Sequence, residues 1–299
     1  ISKKRAPLLF NLAELQAECS KRFKISPDET LQVAQDLYER KLTTYPRTDA
    51  RVLSSAVAKE ISKNIRGLRS FEPVAPFVQN IVEHGLYKNI GKSSYTDDSK
   101  ITDHYAIVPT GQVNEYKSLT ELQKRVYELI VRRFLSIFYP PAQYQTVKLT
   151  IGIEKESFFA GAKVLKVPGY LEIAGRPDIK EKREKEDGDG EENNPKNSAA
   201  LLKLADSLKE GDTAEVKEFL VKEGKTSPPK RYTSGSMVLA MENAGQLIEE
   251  EELREQIKGS GIGTSATRAE IIKKLVRIGY LALNKKTQVL TPEALGEMV

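Results

Sequence analysis

The hydrophobic period of this chain changes at Pro140-Pro141, and that change bounds what it can fold into. Before it, apolar residues recur at three- and four-residue intervals, the repeat of an amphipathic helix. Leu12, Leu15, Cys19 and Phe23 share one helical face over 11–24. Ser26-Pro27-Asp28-Glu29 supplies an N-cap, a proline at the first helical position and an acid at the third. A helix over 27–40 is therefore predicted, burying Leu31, Ala34, Leu37 and Tyr38. Further helices are predicted over 54–66 and 74–84. Ser118-x-x-Glu121 reads as a capping box opening a long helix to about 138. Beyond the prolines, 143–154, 157–167 and 213–222 alternate apolar with polar residues, which predicts strands. From Pro228 the pattern is helical again, over 234–244, 248–258 and 265–278, followed by strand-like pieces near 280–283 and 287–291. Helices followed by a small hairpin suggest a winged-helix-like unit.

At 299 residues the chain exceeds one average core, so more than one domain is expected. Charged residues are 30% and hydrophobic ones 39%, a balance with neither a disorder nor a membrane signature. No apolar run approaches the ~18 residues of a membrane span. The single cysteine, Cys19, excludes an internal disulfide framework, and no Cys/His cluster offers a zinc site. Both point to a reducing, cytoplasmic setting. A net charge of +5 and a pI near 9.0 are compatible with a polyanionic partner without demanding one. Residues 178–198 are a mixed-sign charge run, expected to be a mobile surface loop. The chain opens Ile1-Ser2-Lys3-Lys4-Arg5 without Met and stops where a helical pattern is still running, so it is expected to be a fragment of a larger protein.

Four segments carry chemistry. Tyr45-Pro46-Arg47-Thr48-Asp49 places a phenol before a proline, which pushes Tyr45 toward extended backbone on a loop. Arg47 is then well placed to hold phosphate oxygens beside the phenol. A phenol, with a pKa of ~10, is a poor nucleophile at neutral pH unless nearby charge favours the phenolate, and Arg47 could supply that charge. Asp49 is expected to orient Arg47 or to cap the next helix. The alternative is a Tyr-Pro loop with a surface Arg. His104, in Asp103-His104-Tyr105-Ala106-Ile107-Val108-Pro109-Thr110, is either a hydrogen-bonded wall residue or a donor to a phosphate oxygen. Gly259–Arg268 leads glycines into a helix start, where free backbone N–H groups, the hydroxyls of Thr264, Ser265 and Thr267, and Arg268 could seat a phosphate. A flexible turn is the alternative there. No GK[ST] follows, so it is no nucleotide P-loop. Pro228–Ser234 offers Lys230, Arg231, Tyr232 and Thr233 to a single strand's backbone and one stacked base, or is a linker with a helix cap at Thr233.

The order of these segments resembles the type IA DNA topoisomerases, closest in wording to the bacterial topoisomerase III group. Leu42–Asp49 is similar to their active-site tyrosine motif, 103–110 to their His-x-Ala-Ile-x-Pro-Thr element, and 261–272 to their Gly-Ile-Gly-Thr-Pro-Ala-Thr-Arg helix start. Pro7–Leu12 with Leu15-Gln16, and Pro228–Ser234, match two more family segments in the right order. Ser265 stands in place of the usual proline, and Ala50 where serine is common.

The resemblance implies an α+β multidomain fold: a helical tyrosine-bearing domain over 7–112, a β-rich arch or gate domain from 1–6 and 113–226, and part of a helical, winged-helix-like DNA-binding base over 227–299. It implies that Tyr45 attacks a DNA phosphodiester and becomes linked to the 5′ phosphate. Arg47 and His104 would steady the phosphate, and Arg231, Thr233, Thr264, Thr267 and Arg268 would belong to the single-strand groove. Single-stranded DNA is the implied partner; no membrane and no ATP are expected, and a monomer is. The family's magnesium site and general acid lie in an N-terminal Toprim domain that this sequence lacks. Asp187-Gly188-Asp189 is an Asp-x-Asp in a charge run with no strand before it and is discounted. The chain should therefore hold no metal and be unable to relax supercoiled DNA alone. The rival from another class is a non-catalytic single-strand-binding module whose tyrosine stacks on a base. A tyrosine recombinase fragment is disfavoured, because its Arg…His-x-x-Arg…Tyr order is absent here.

Overall fold

The computed structural model describes residues 1–175, 195–213, 215–221, 223–248, 250–257 and 261–299. In chain order its elements open with β1 (Ser2–Lys4), α1 (Leu12–Phe23), α2 (Pro27–Glu39), α3 (Ser55–Gly67), α4 (Ala75–Glu83) and α5 (Glu121–Ser136). The strands β2 (Ala142–Ile153) and β3 (Glu156–Val167) follow, then α6 (Leu171–Ala174) and α7 (Pro195–Ser207). The last part holds α8 (Ser234–Glu242), α9 (Glu251–Ile257), α10 (Arg268–Arg277), β4 (Leu281–Leu283), β5 (Leu290–Pro292) and α11 (Ala294–Glu297). The architecture is α+β. It divides into two compact units, one of residues 7–138 with 230–299 and one of 1–6 with 139–229.

The larger unit is built by capped helices. Asn11 caps α1 by accepting from the Glu14 amide, and Ser26 and Glu29 close the expected box on α2. On α5 the box is two residues later than predicted. Thr120 and Gln123 form it, while Ser118 ends a 3₁₀ turn and takes a hydrogen bond from Arg40. Buried Leu119 lies between the two candidates, and seating it sets where the helix begins. Tyr38, predicted to be buried, is 40% exposed at the end of α2. Thr30, Val33, Ala34 and Leu37 form the buried face in its place.

Val126, Tyr127, Ile130, Val131 and Phe134 of α5 are fully buried. Phe71 packs edge-on against Tyr127, with ring centroids 5.5 Å apart, and Gln123 donates to Asp36 of α2 across 3.0 Å. The compact unit therefore runs past 112 to Phe138, because α5 supplies core to the helices before it.

Residues 230–299 join the same unit through α8, which lies against α1 at a glycine. A Cβ on Gly235 would sit 2.6 Å from Ser20 Cβ and 2.8 Å from Ala17 Cα, so only glycine allows this approach. Beside it Ala13, Val238, Met241, Ile272 and Leu290 make one apolar cluster. The β4–β5 hairpin pairs Leu283 with Leu290, and the Ser234 amide donates to Gln288 O across 2.8 Å.

The smaller unit is an antiparallel sheet of order β1-β2-β3, in which β2 and β3 pair from Gln143–Val167 to Ile153–Glu156. Residues 213–222 form no strand among the described residues, and Phe219, Leu220 and Val221 are largely exposed. Alternation makes a segment able to be a strand, but a neighbouring edge must take its hydrogen bonds, and none does. The last residues of the charge run, from Pro195, are helical. The remainder of that run and Asp187-Gly188-Asp189 lie outside the described residues. Among the described residues no helix is long and apolar enough to cross a membrane.

Two outcomes follow from this packing. Alanine is the better helix former by ~1 kcal/mol, yet Gly235→Ala should destabilise the protein by about 1–3 kcal/mol through overpacking, read as a lower urea midpoint. Cys19 is fully buried, and burial pushes its thiol up from 9.0 to about 12. Alkylation by iodoacetamide at pH 8 should therefore be slow until urea unfolds the chain. Because the folded state holds the proton more tightly, stability referable to Cys19 is intact below pH 9 and falls as the pH climbs toward about 12.

Candidate active site around Tyr45

Two extended segments laid side by side create the site. After α2 the chain turns at Lys41, whose φ of 58° is left-handed, and runs antiparallel to 104–110. The Thr44 amide donates to Val108 O, and the Thr110 amide to Leu42 O, each across 3.0 Å. Two threonine hydroxyls reinforce this ladder. Thr44 donates to Ala106 O and accepts from the Val108 amide, both at 3.0 Å. Thr48 donates to His104 O at 2.7 Å and accepts from the Ala50 amide at 3.1 Å. Tyr45 is thus stapled on both sides, and the same bonds fix His104 beside it.

The half-buried Tyr45 ring lies between two others. Tyr38 meets it edge-on, with centroids 5.3 Å apart at 78°, and His104 lies 4.6 Å away at 48°. His104 is exposed, and Asp103 forms no hydrogen bond or ion pair with it among the described residues. Arg47 is also exposed and, among the described residues, has no hydrogen-bond or ion-pair partner. A shallow cavity of about 360 Å³ opens next to the phenol, lined by Tyr38, Lys41, Thr44, Tyr45, His104 and Tyr105. Burial pushes the Tyr105 phenol above its ordinary range, so it stays a neutral donor. Its lining residues include no acid, and Lys41 with the tyrosine and threonine hydroxyls supplies donors for an anionic ligand.

Asp49 neither reaches Arg47 nor caps a helix; Ser54 caps α3. It faces Arg268 at 3.3 Å. The Arg268 guanidinium is buried, lies 3.7 Å from Glu242, and donates to Ile262 O and Gly263 O across 3.2 Å. Asn11 completes the cluster, donating to Glu242 at 2.8 Å and to Asp49 O at 3.2 Å. Burial pushes the Glu242 carboxyl up; Arg268 pulls it back only in part, with Asp49's charge adding to the rise.

The glycine loop is more closed than its sequence suggests. Gly261 and Gly263 take φ of 62° and 67°, and a Cβ on Gly261 would lie 2.6 Å from Glu242 O. The amides of Ile262, Thr264, Thr267 and Arg268 all bond within this loop or to Met241 O. Helix α10 accordingly starts at Arg268 and not at 265. The Thr264 and Thr267 side chains remain exposed, with their hydroxyls 3.1 Å apart. Thr233 is the N-cap of α8, in a reciprocal box with Ser236, and Arg231 is exposed just before it. These two lie at the far end of α8 from Glu242, roughly 14 Å away along a nine-residue helix.

Tyr45 and His104 are therefore neighbours, Arg47 follows two residues after Tyr45 without lining the cavity, and Arg268 reaches their segment through Asp49. Arg231 and Thr233 stand apart. Sequence reading passed over Tyr38, Lys41, Thr44, Thr48, Asn11 and Glu242. The Thr44 and Thr48 spacing around Tyr45 was an available signal; the pairing of Asn11 with Glu242 spans 231 positions and was not. No group of three or more His, Cys, Asp or Glu side chains among the described residues is placed to hold a metal ion. Asp49 is already engaged by Arg268, so the residues around Tyr45 do not fit a magnesium ion.

A family model described as DNA topoisomerase matches residues 1–299. The chain is 37% identical over 277 residues to DNA topoisomerase 3 of Bacillus licheniformis, covering 91% of this chain and 36% of that protein. It is 35% identical to the Bacillus subtilis protein of the same name, with the same coverages. It thus spans little more than a third of the curated relatives it matches. Topoisomerase I from Thermotoga maritima shares the fold, with a TM-score of 0.58, 23% identity, and coverage of 99% of this chain and 42% of that one. The motifs that meet around Tyr45 thus have relatives along the whole sequence, and the chain belongs to the type IA DNA topoisomerase family.

Proposed function

We propose that this chain carries the nucleophile with which a DNA topoisomerase cuts and reseals one strand, and that Tyr45 is that nucleophile. The observation that carries the reading is the half-exposed Tyr45 ring, held between Tyr38 and His104 at the mouth of a cleft that Lys41 also lines, with Arg47 exposed two residues on. The Tyr45 oxygen attacks a DNA phosphorus. A phosphorus–oxygen bond to the tyrosine forms as the bond to the 3′ oxygen breaks. The phenol loses its proton, and the departing 3′ oxygen gains one. One phosphodiester replaces another of similar energy, so the reverse step reseals the strand without ATP. Arg47 and His104 hold the non-bridging oxygens as charge builds on them.

The supporting parts have separate roles. Thr264 and Thr267, exposed on the glycine loop, and Arg231 with Thr233 on the approach to α8 contact the backbone of a single strand. Residues 7–138, in one compact unit with 230–299, carry the tyrosine and part of the base, and 1–6 with 139–229 act as the arch. Magnesium and the general acid come from a Toprim domain outside this chain, which acts as a monomer in the cytoplasm. Alone, the chain is inactive in relaxation.

In the full-length enzyme Tyr45→Phe should abolish the covalent protein–DNA adduct on a labelled oligonucleotide while leaving oligonucleotide affinity within about threefold. The second reading, a single-strand-binding module with Tyr45 as a stacking platform, requires the adduct to be absent from wild type as well. His104→Asn should lower cleavage at saturating DNA by ~100–1000-fold, the range for loss of one transition-state donor. Incubated by itself with supercoiled plasmid and magnesium, the chain should leave the plasmid unrelaxed; sustained relaxation would overturn the half-site reading.

A further inference from the structure

We infer that Arg268 acts as a positioning residue for Tyr45, reached through Asp49, and is not a direct contact for DNA. The inference rests on the nucleophile reading for what it positions, but its geometry stands independently. Arg268 is 4% exposed, so its guanidinium has no open face for a phosphate. Its donors are aimed inward, at Ile262 O, Gly263 O and Asp49 Oδ1, with Glu242 Oε1 at 3.7 Å. Asp49 lies four residues after Tyr45, and between them Thr48 binds His104 O. The Thr48 carbonyl in turn accepts from the Leu12 amide at 3.1 Å, and Asn11 holds Asp49 O. One buried cation therefore ties the glycine loop to the downstream end of the tyrosine segment, with Asn11 and Glu242 closing the ring.

This arrangement makes the exposed glycine loop and the nucleophile parts of one mechanical linkage. A strand seated on Thr264 and Thr267 pulls on the loop whose carbonyls hold Arg268. Arg268 transmits that to Asp49, and so to the backbone that sets Tyr45 and His104. The linkage holds the phenol in register with the loop on which the strand is seated. A DNA-contacting arginine would behave differently, since its loss weakens binding and leaves the geometry of Tyr45 intact.

Hydrogen exchange and cleavage together test this in the full-length enzyme, using Asp49→Asn, Arg268→Gln and the double variant. Asp49→Asn alters a side chain that is 56% exposed, so it reports even where loss of the buried arginine harms folding. Both single variants should speed amide exchange in a 44–50 peptide by at least tenfold, with α3 unchanged. The double variant should be no faster than either single one. Cleavage at saturating oligonucleotide should fall about tenfold with affinity within threefold. Unchanged exchange over 44–50 in Asp49→Asn, or additive effects in the double variant, would overturn the linkage. So would an Arg268→Gln enzyme that binds DNA tenfold more weakly yet cleaves normally at saturation. Exchange is read without cleavage, so a wild type that forms no adduct would refute the proposed function and leave this test decisive.

Discussion

A guanidinium removed from water must find its partners within the protein, and Arg268 finds them on three separate stretches of chain. Asp49 comes from the tyrosine segment, Glu242 from the end of α8, and two carbonyls from the glycine loop. Removing a partner leaves the buried guanidinium short of compensation. The arrangement is thus costly to leave half made. It forces the glycine loop, α8 and the tyrosine segment to be correct together. The apolar cluster around Ala13 and Val238, and the close α1–α8 approach at Gly235, bring those stretches near enough for the charges to meet.

The site itself depends on hydroxyls more than on charge. Thr44 and Thr48 each donate to a carbonyl and accept from an amide, which makes them backbone substitutes at the two ends of the Tyr45 turn. Pro46 supplies no amide hydrogen, and the residue before it is held extended, so side chains fill the role of a regular ladder. The outcome is a rigid backbone under a half-exposed ring, with Arg47 exposed and, among the described residues, unpaired. Rigid support beneath free reactive groups is what a preorganised site requires.

Much of the larger unit was legible in the sequence. The α2 capping box, the helical stripes and the long α5 are local patterns, and local patterns survive folding because neighbours in sequence make them. Errors arose where a distant contact decides. Ser118-x-x-Glu121 satisfied the capping rule, but burial of Leu119 moved the start to Thr120. Tyr38 matched a helical face, yet it sits beyond the core and packs on Tyr45. Residues 213–222 alternate as a strand would, yet the described residues among them pair with no edge.

The sequence by itself determined which chemical groups exist and in what order: a phenol before a proline, a guanidinium two residues on, an imidazole in a later apolar stretch, and glycines ahead of a helix. Those are properties of residue type and spacing, which is why family membership could be read from them. Only the tertiary structure decided which groups are free to act. Arg47 and Arg268 are equal cations on paper, yet one faces solvent with no partner among the described residues and the other is enclosed by Asp49, Glu242 and two carbonyls. Burial and pairing are set by contacts between residues more than 200 positions apart, as from Asp49 to Arg268, and no local pattern encodes them.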